Sequence, residues 1–289
     1  MGFTKAVKTK AKLRVALAGV SGAGKTYSAL TMAKALGGRV ALIDSERSSA
    51  LLYADKFEFD HMDLSDHGID RYKAAIREAA AYDVLIIDSL SHEWAGRGGA
   101  LEEVDRKKGA GNSFAAWNGV SQKHAGLLDD ILMHPGHVIV TMRKKSEFVL
   151  ETVNGKQVPR KIGMAVVQRE GIEFEFTVLL SMEREGQVLI EKSRCSALEE
   201  MGALRREDLA KAGETLREWL ATGVEAPAPK ADPVASEAVA ILMRAAACST
   251  LSDLEELRPR YEALKGTSEF ARVGSELAKR KAELTRGAA

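Results

Sequence analysis

The sequence predicts an α/β fold in which a mostly parallel central sheet is flanked by helices and is followed by a small helical module. Three observations support this prediction. Strand-like apolar segments alternate with helix-like segments as far as about residue 195, and repeated βα units imply parallel strands joined by right-handed crossovers. Residues 83–88 are almost continuously apolar, as expected of a strand buried inside a parallel sheet. A glycine-rich octapeptide, GVSGAGKT, separates the first predicted strand from the first predicted helix.

The first part of the chain contains three predicted strands and three predicted helices. Apolar runs predict the strands at residues 13–18, 39–44 and 83–88. Apolar residues at helical spacing predict helices at residues 27–36 and 66–81. A third helix is expected to begin at Asn112 or Ser113, because either side chain can cap it. The apolar face of this helix consists of Phe114, Trp117, Val120, His124, Leu127 and Ile131, and His124 is expected to be a core histidine.

The second part adds antiparallel strands at one edge of the sheet. Pro135 and Gly136 end the third helix, and residues 137–141 predict the next strand. Residues 174–182 and 187–192 flank the turn sequence EREG, which predicts a hairpin. A last helix of the domain is expected near residues 205–221.

Four parts of the chain follow from these patterns. We predict a basic N-terminal tail at residues 1–11, the α/β domain at residues 12–223, a linker at residues 224–235 and a helical module at residues 236–289. The linker sequence EAPAPKADP is of the semi-rigid Pro/Ala type. The module should form about three short helices with two apolar stripes that close on each other or on a partner. The stripes are Leu254, Leu257, Tyr261 and Leu264, and Phe270, Val273, Leu277 and Leu284.

The composition limits the class of protein. A chain of 289 residues with 45% hydrophobic residues can bury a large core. The net charge of +1 provides no overall attraction to nucleic acid or membranes, so any such binding must come from local patches. The two cysteines lack metal-ligand spacing and suit a reducing compartment. No apolar run approaches the ~20 residues of a membrane span, and the N-terminus lacks the apolar region of a signal peptide. We therefore expect a cytoplasmic protein without membrane contact.

The octapeptide carries the most specific chemical signal. It fits the phosphate-binding pattern G-x-x-x-x-G-K-[ST] at every constrained position. In that pattern, backbone N–H groups surround the phosphates, the lysine reaches the β- and γ-phosphates, and the hydroxyl binds Mg²⁺. The alternative, a glycine-rich turn with an incidental lysine, is disfavoured by the strand before it and the helix after it. A nucleoside triphosphate and Mg²⁺ are therefore the expected ligands. The predicted nucleotide-binding residues are Gly19, Ser21, Gly22, Ala23, Gly24, Lys25 and Thr26.

Two acidic residues are candidates for the remaining chemistry. Asp88 ends an apolar strand and is followed by Ser89, which suits the second Mg²⁺ anchor of a P-loop enzyme; a plain loop cap is the alternative. Glu46 follows the strand that ends at Asp44, at the edge where ligands of open α/β sheets bind. A surface glutamate is equally common there, so its position alone leaves its role open.

These segments resemble the core of the RecA-type recombinase ATPases. The resemblance is carried by LIDSE at residues 42–46, LIIDS at residues 85–89 and the P-loop, in this order and spacing. It implies a RecA-like P-loop NTPase core in which Glu46 activates the attacking water. It also implies that Tyr53 stacks on the adenine, although Ala50 stands where the family has an acidic residue.

A closer resemblance is to the small RecA-like ATPases encoded by phages and prophages. It covers residues 12–222 and is carried by residues 88–94, 112–117, 141–145, 158–164 and 169–176. Members are called AAA-domain or nucleotide-binding proteins, and some are similar to single-strand annealing recombinases. The resemblance implies phage recombination or replication, in the bacterial host cytoplasm.

Lys192 and Arg194 form a Lys-x-Arg pair at the end of a predicted strand. Alternation along a strand places both cations on one face. In RecA-like ATPases such a pair reaches across a subunit interface to the neighbour's γ-phosphate, so the resemblance implies catalysis in trans and self-association into a ring or filament. A solvated basic edge is the alternative.

Single-stranded DNA is the expected partner. The resemblance places DNA contacts on two segments, residues 94–111, predicted to be a mobile basic loop, and residues 143–161, which alternatively form a hairpin around Asn154-Gly155. Clustered cations attract the backbone, and aromatic rings such as Trp94 or Phe148 stack on bases. A further basic patch consists of Lys5, Lys8, Lys10, Lys12 and Arg14, which either contacts nucleic acid or is simply a solubilising tail. The balanced charge of the C-terminal helices favours a protein partner there.

The function predicted from sequence is therefore a Mg²⁺-dependent ATPase that acts with single-stranded DNA. Thr141, at the end of its strand, is a candidate sensor of the γ-phosphate, and His92 of the nucleotide state. Two alternatives stay open: a motor or loader that remodels a protein partner, and a nucleotide-gated DNA-binding module that barely hydrolyses. A small-molecule kinase is less consistent with the residues, since no acceptor or lid motif is recognisable.

Overall fold

The chain divides into two compact units, Met1–Val224 and Glu225–Ala289. A computed structural model describes residues 5–108, 113–153, 156–225, 233–267 and 269–287. The linker predicted at residues 224–235 falls mostly outside the described residues. So does the turn at Asn154-Gly155.

The described strands of the first unit form one mixed, mostly parallel sheet. They are β1 (Arg14–Gly19), β2 (Val40–Asp44), β3 (Asp60–Asp63), β4 (Val84–Asp88), β5 (His137–Val153), β6 (Lys156–Val166), β7 (Val178–Met182), β8 (Gln187–Lys192) and β9 (Leu204–Arg205). Their order is β3-β2-β4-β5-β1-β7-β8-β9, with β6 paired to β5. Neighbours from β3 to β7 are parallel, whereas β8 and β9 add antiparallel strands at one edge. The predicted α/β fold with a mostly parallel central sheet is confirmed.

Helices cover both faces of this sheet. They are α1 (Lys25–Leu36), α2 (Ile69–Glu78), α3 (Ser91–Ala95), α4 (Ala100–Lys108), α5 (Ser113–Leu132), α6 (Ser196–Glu199) and α7 (Leu209–Ala221). Side chains alternate along β1, so Val15 and Leu17 join the core under α1 and α7, whereas Ala16 and Ala18 join the core under α2 and α5. The central strands β1, β2 and β4 are buried along their whole length, which explains their nearly continuous apolar sequences.

Three segments differ from the sequence-based expectations. Residues 100–108 form α4 rather than a mobile loop, because Glu103 and Lys107 pair one turn apart and Glu103 and Val104 are buried. The strand expected from residue 174 begins at Val178, after a short 3₁₀ helix (Ile172–Glu175). The strand expected at residues 137–141 continues to Val153, because it pairs with β6 in a long antiparallel hairpin. The hairpin interpretation of the segment after residue 143 therefore holds for its backbone.

Two of the basic residues near the N-terminus, Lys8 and Arg14, contact the body of the domain. Arg14 is buried, and its guanidinium donates to the carbonyl oxygens of Leu132, the last residue of α5, and of His134 and Gly136 just after it. Burial lowers the pKa of Arg14 to about 10. The Lys8 ammonium donates to the Trp219 carbonyl at 2.7 Å. Arg14 and Lys8 therefore contact the body of the domain, and a nucleic-acid role of the N-terminal cations stays a prediction.

The second unit is a small helical module with its own core. Its described helices are α8 (Pro233–Ala247), α9 (Leu251–Glu255), α10 (Arg258–Glu262) and α11 (Glu269–Gly287). Four described helices replace the three expected, because the chain turns between α9 and α10. Both predicted apolar stripes pack into one cluster with Ala238 and Ile241 of α8, and the rings of Tyr261 and Phe270 stack 4.4 Å apart. The stripes therefore close on each other.

None of the helices in the described ranges is long and apolar enough to cross a membrane.

A half-buried histidine, His137, predicts a measurable pH dependence. His137 Nδ1 accepts a hydrogen bond from the Leu13 backbone N–H at 2.9 Å, and burial, with Lys12 and Arg14 nearby, lowers the pKa of His137 to about 4. Because the folded pKa is depressed, this contribution to stability is present above the unfolded pKa of about 6.5 and is lost as pH falls toward 4. For this partly exposed ring we expect a loss of about 2 kcal/mol over that window.

His137→Asn should flatten that dependence, since the Asn side chain can accept the same hydrogen bond without titrating. Urea unfolding at pH 7.5, 6.0 and 4.5 would measure it. Some slope should remain in the variant, because burial also lowers the pKa of His92 and His134. Equal slopes for the two proteins would contradict the assignment.

Candidate functional site

The glycine-rich octapeptide forms the connection between β1 and α1. Gly22 and Gly24 have φ angles of 80° and 85°, a conformation that L side chains rarely adopt. Ala23 is fully buried and anchors the loop through its N–H, which donates to the Val20 carbonyl at 3.2 Å, while Ser21 and Gly22 are exposed at the tip. The loop amides therefore lie at the N-terminus of α1, where backbone N–H groups and the helix dipole favour an anion.

Lys25 opens α1 and is directed back into this loop. Its ammonium donates to the Val20 carbonyl at 3.0 Å, and the residue is 8% exposed. Burial lowers the pKa of Lys25, while the charges of Asp88 and Glu46 raise it. A buried cation held mainly by a loop carbonyl suits the predicted role of binding phosphate oxygens.

Thr26 and Asp88 meet at the carboxyl edge of the sheet. Thr26 Oγ1 donates to Asp88 Oδ2 at 2.6 Å, and Thr141 Oγ1 donates to Asp88 Oδ1. Burial raises the pKa of Asp88, and the two hydroxyl hydrogen bonds lower it. Hydroxyl and carboxylate oxygens are ligands that Mg²⁺ prefers. The donor set therefore fits Mg²⁺, with Thr26 and Asp88 as the residues that would hold it, directly or through water.

Glu46 lies in the same cleft and is paired with Arg143. Glu46 Oε1 accepts from Arg143 Nε at 3.1 Å and from Nη2 at 2.9 Å. The charges of Asp88, Glu46 and Arg143 all act on the pKa of Lys25, so these side chains surround one site. The sequence prediction had counted Arg143 among the DNA-contacting cations. Arg143 lies at the end of the parallel part of β5, where it pairs with Gly19 of the P-loop, and this position indicates that it belongs to the cleft.

A buried network holds the loop that carries Glu46. Asp44 is fully buried, and its carboxylate accepts from the N–H groups of Glu46 at 2.6 Å and Ala50 at 2.9 Å. Ser45 Oγ lies 2.8 Å from His92 Nδ1 and accepts from the Ser89 N–H at 2.8 Å. These contacts tie the loops after β2 and β4 together. Asp44 and Ser45 thereby fix Glu46 and Asp88 relative to each other, a role that sequence reasoning missed.

Tyr53 belongs to an aromatic cluster beside α1. Its ring meets Tyr27 edge to face at a centroid distance of 5.6 Å, and Tyr27 meets Phe57 at 5.2 Å. Tyr27 is 42% exposed and directly follows Thr26. The exposed ring next to the P-loop is thus Tyr27, with Tyr53 packed against it.

Lys192 and Arg194 lie away from the P-loop of their own chain. β8 runs antiparallel to β7, and Lys192 pairs with Leu179, whereas Met182 at the other end of β7 pairs with Val188 and lies beside Gly19. The Lys192 ammonium donates to the Phe174 carbonyl, and Arg194 is exposed beyond the end of β8. The described structure therefore does not bring either cation into its own phosphate site.

The predicted DNA-contacting segments have mixed outcomes. In α4, Lys107 pairs with Glu103 at 2.6 Å and Lys108 with Asp105 at 3.1 Å. Trp94 packs on Trp117 and His124, and His124 is a core histidine as expected. Residues 109–112 and the side chains of residues 147–162 lie outside the described part of the structure.

The fold and this cleft define a P-loop nucleotide-binding α/β protein. A family model described as an AAA domain matches residues 11–207. The chain belongs to this family and is an AAA-type P-loop ATPase. None of the curated proteins compared matches the chain.

Proposed function

We propose that this protein is a Mg²⁺-dependent ATPase of RecA-like type that acts with single-stranded DNA, as an oligomer, in phage recombination or replication. The observation that carries the ATPase proposal is the meeting of Lys25, Thr26, Asp88 and Glu46 in one cleft at the carboxyl edge of the sheet. A phosphate anchor, two metal ligands and a carboxylate for water are the parts that phosphoryl transfer to water requires.

Each residue has a definable task in hydrolysis. The loop amides and Lys25 would hold the phosphates, and Thr26 and Asp88 would hold Mg²⁺, which would supply positive charge to the phosphate oxygens. Glu46 orients a water molecule and takes its proton as the water oxygen bonds to the γ-phosphorus. The bond from that phosphorus to the bridging oxygen breaks, and ADP leaves. Because Arg143 donates two hydrogen bonds to the Glu46 carboxylate, it orients this base.

The β5–β6 hairpin supports coupling of hydrolysis to DNA. β5 pairs with β1 only as far as Arg143 and then continues to Val153 in the hairpin. The segment proposed to meet DNA is therefore continuous with the residue that holds Glu46. A shift of the hairpin on DNA binding would move Arg143 relative to Glu46, which provides a direct route from DNA contact to turnover.

ATP turnover with and without single-stranded DNA, over a series of protein concentrations, tests this proposal. Stimulation by DNA that rises faster than linearly with protein would support a DNA-stimulated oligomer with Lys192 and Arg194 acting in trans. Turnover that is indifferent to DNA at every concentration would contradict the DNA role.

A second candidate is an ATP-driven motor or loader that remodels a protein partner. It is favoured by Val239 and Met243, which are 47% and 71% exposed and lie one turn apart on α8. Two apolar side chains on one exposed helix face suit a protein contact better than a DNA backbone. Turnover that depends on residues 236–289 and not on DNA would favour this function.

A further inference from the structure

Arg206 lies at the same sheet edge as the P-loop. β9 ends at Arg205, which pairs with Gln187, and the Arg206 N–H donates to the Gly186 carbonyl at 3.0 Å. Gly186 belongs to the β7–β8 turn, and β7 ends at Met182 beside Gly19. The register of these strands therefore places Arg206 next to the phosphate-binding loop of its own chain, at the edge opposite to that approached by Lys192.

The Arg206 side chain lies directly against the loop. A Cβ added at Gly24 would lie 2.8 Å from Arg206 Nη1 and 3.2 Å from its Cδ, and one added at Gly186 would lie 3.2 Å from its Nε. The guanidinium thus occupies the space between two glycines. A side chain at Gly24 is disfavoured for two reasons: the positive φ angle of this residue, and the steric clash that a Cβ would make with Arg206.

No anionic partner among the described residues explains this position. Among the hydrogen bonds and ion pairs of the described residues, none engages the Arg206 guanidinium, which is exposed. Arg143 in the same cleft is held by Glu46 and Arg14 by backbone carbonyls. The first turn of α1 contains no acidic residue that could balance the charge. A guanidinium packed against Gly24 lies at the positive end of α1, which repels it unless an anion joins them.

We propose that Arg206 binds phosphate oxygens of a nucleotide held in the P-loop of the same chain. This inference rests on the proposed nucleotide binding and deepens it. The planar guanidinium presents several N–H donors in a fork that matches phosphate oxygens. Arg206 supplies in cis a positive charge that does not depend on a neighbouring subunit, in contrast to Lys192 and Arg194.

Equilibrium titration with a fluorescent ATP analogue tests the assignment. Arg206→Ala should weaken binding about 10- to 100-fold, the loss expected for charged hydrogen bonds. Arg206→Lys should be intermediate, because it keeps the charge and loses the fork. The matched control is Arg205→Ala, which removes the neighbouring exposed arginine and should change affinity less than about twofold. Arg206→Ala that binds as tightly as the wild type would overturn the proposal.

Thermal unfolding separates a ligand role from a structural role. If Arg206 binds phosphate, Arg206→Ala should unfold at the wild-type temperature without nucleotide and show a smaller ATP-induced rise in Tm. A lower Tm without nucleotide, together with an unchanged ATP-induced rise, would assign Arg206 to packing alone. Lys25→Ala separates the two proposals. If the wild type binds no ATP, or if Lys25→Ala binds it as tightly as the wild type, the proposed function fails. If Lys25→Ala loses ATP affinity but Arg206→Ala does not, only the inference about Arg206 fails.

Discussion

Glu46→Gln is expected to lower ATP turnover by about 10²- to 10⁴-fold, the usual contribution of a positioned general base. ATP binding should change by less than about threefold, because in the proposed mechanism the carboxylate acts on water and the P-loop holds the phosphates. The amide keeps the size of the side chain and can still accept from Arg143. Single-turnover phosphate release and equilibrium nucleotide binding, measured side by side, check both parts.

Glu58→Gln is the matched control for this prediction. Glu58 is exposed and precedes the amino end of β3, at the opposite edge of the sheet from the cleft. It should leave turnover unchanged. If Glu46→Gln hydrolyses ATP at the wild-type rate, Glu46 is not the base, and its pairing with Arg143 serves only to hold the loops.

Lys25→Ala is expected to weaken ATP binding by about 100-fold or more and to remove measurable turnover. The ammonium is the buried cation at the phosphate site, and loss of charged hydrogen bonds costs about 1.5–3 kcal/mol for each partner. The folded protein should not lose stability, since burial already lowers the pKa of Lys25 and so disfavours the charge in the absence of phosphate. Nucleotide titration and thermal unfolding measure the two effects.

Lys34→Ala provides the comparison on the same helix. Lys34 is exposed in the last turn of α1, with its ammonium 5.9 Å from the Phe57 ring. Its removal should leave ATP affinity unchanged. Equal affinities of Lys25→Ala and the wild type would mean that the octapeptide is only a turn.

The parts of the site that are formed by short continuous segments could be predicted from the sequence. GVSGAGKT encodes its own turn and helix start, and the apolar run before Asp88 marks a central strand with a polar end. The resemblance to RecA-type ATPases assigned a catalytic role to Glu46, a role that its position in the sequence alone left open. The strand pattern also placed the carboxyl ends of β1, β2 and β4 at one edge, which is where the structure has them.

The contacts that could not be predicted join distant segments. Glu46 meets Arg143 because β5 lies between β4 and β1 in the sheet, an order that no local pattern specifies. Arg206 reaches Gly24 only because the short β9 pairs with β8. In α4, the cluster of glycines before Ala100 suggested a loop, although the spacing of Glu103 and Lys107 already indicated a helix.

Phosphate release from ATP tests the proposed Mg²⁺-dependent ATPase activity more directly than any other measurement. The wild-type protein is assayed once with Mg²⁺ and once with a chelator instead of Mg²⁺, and Lys25→Ala serves as the blank. We expect turnover that requires Mg²⁺ and disappears in the blank, because we propose that Thr26 and Asp88 hold the metal and that Lys25 holds the phosphates. Turnover that persists without Mg²⁺, or that is equal in Lys25→Ala, would contradict it.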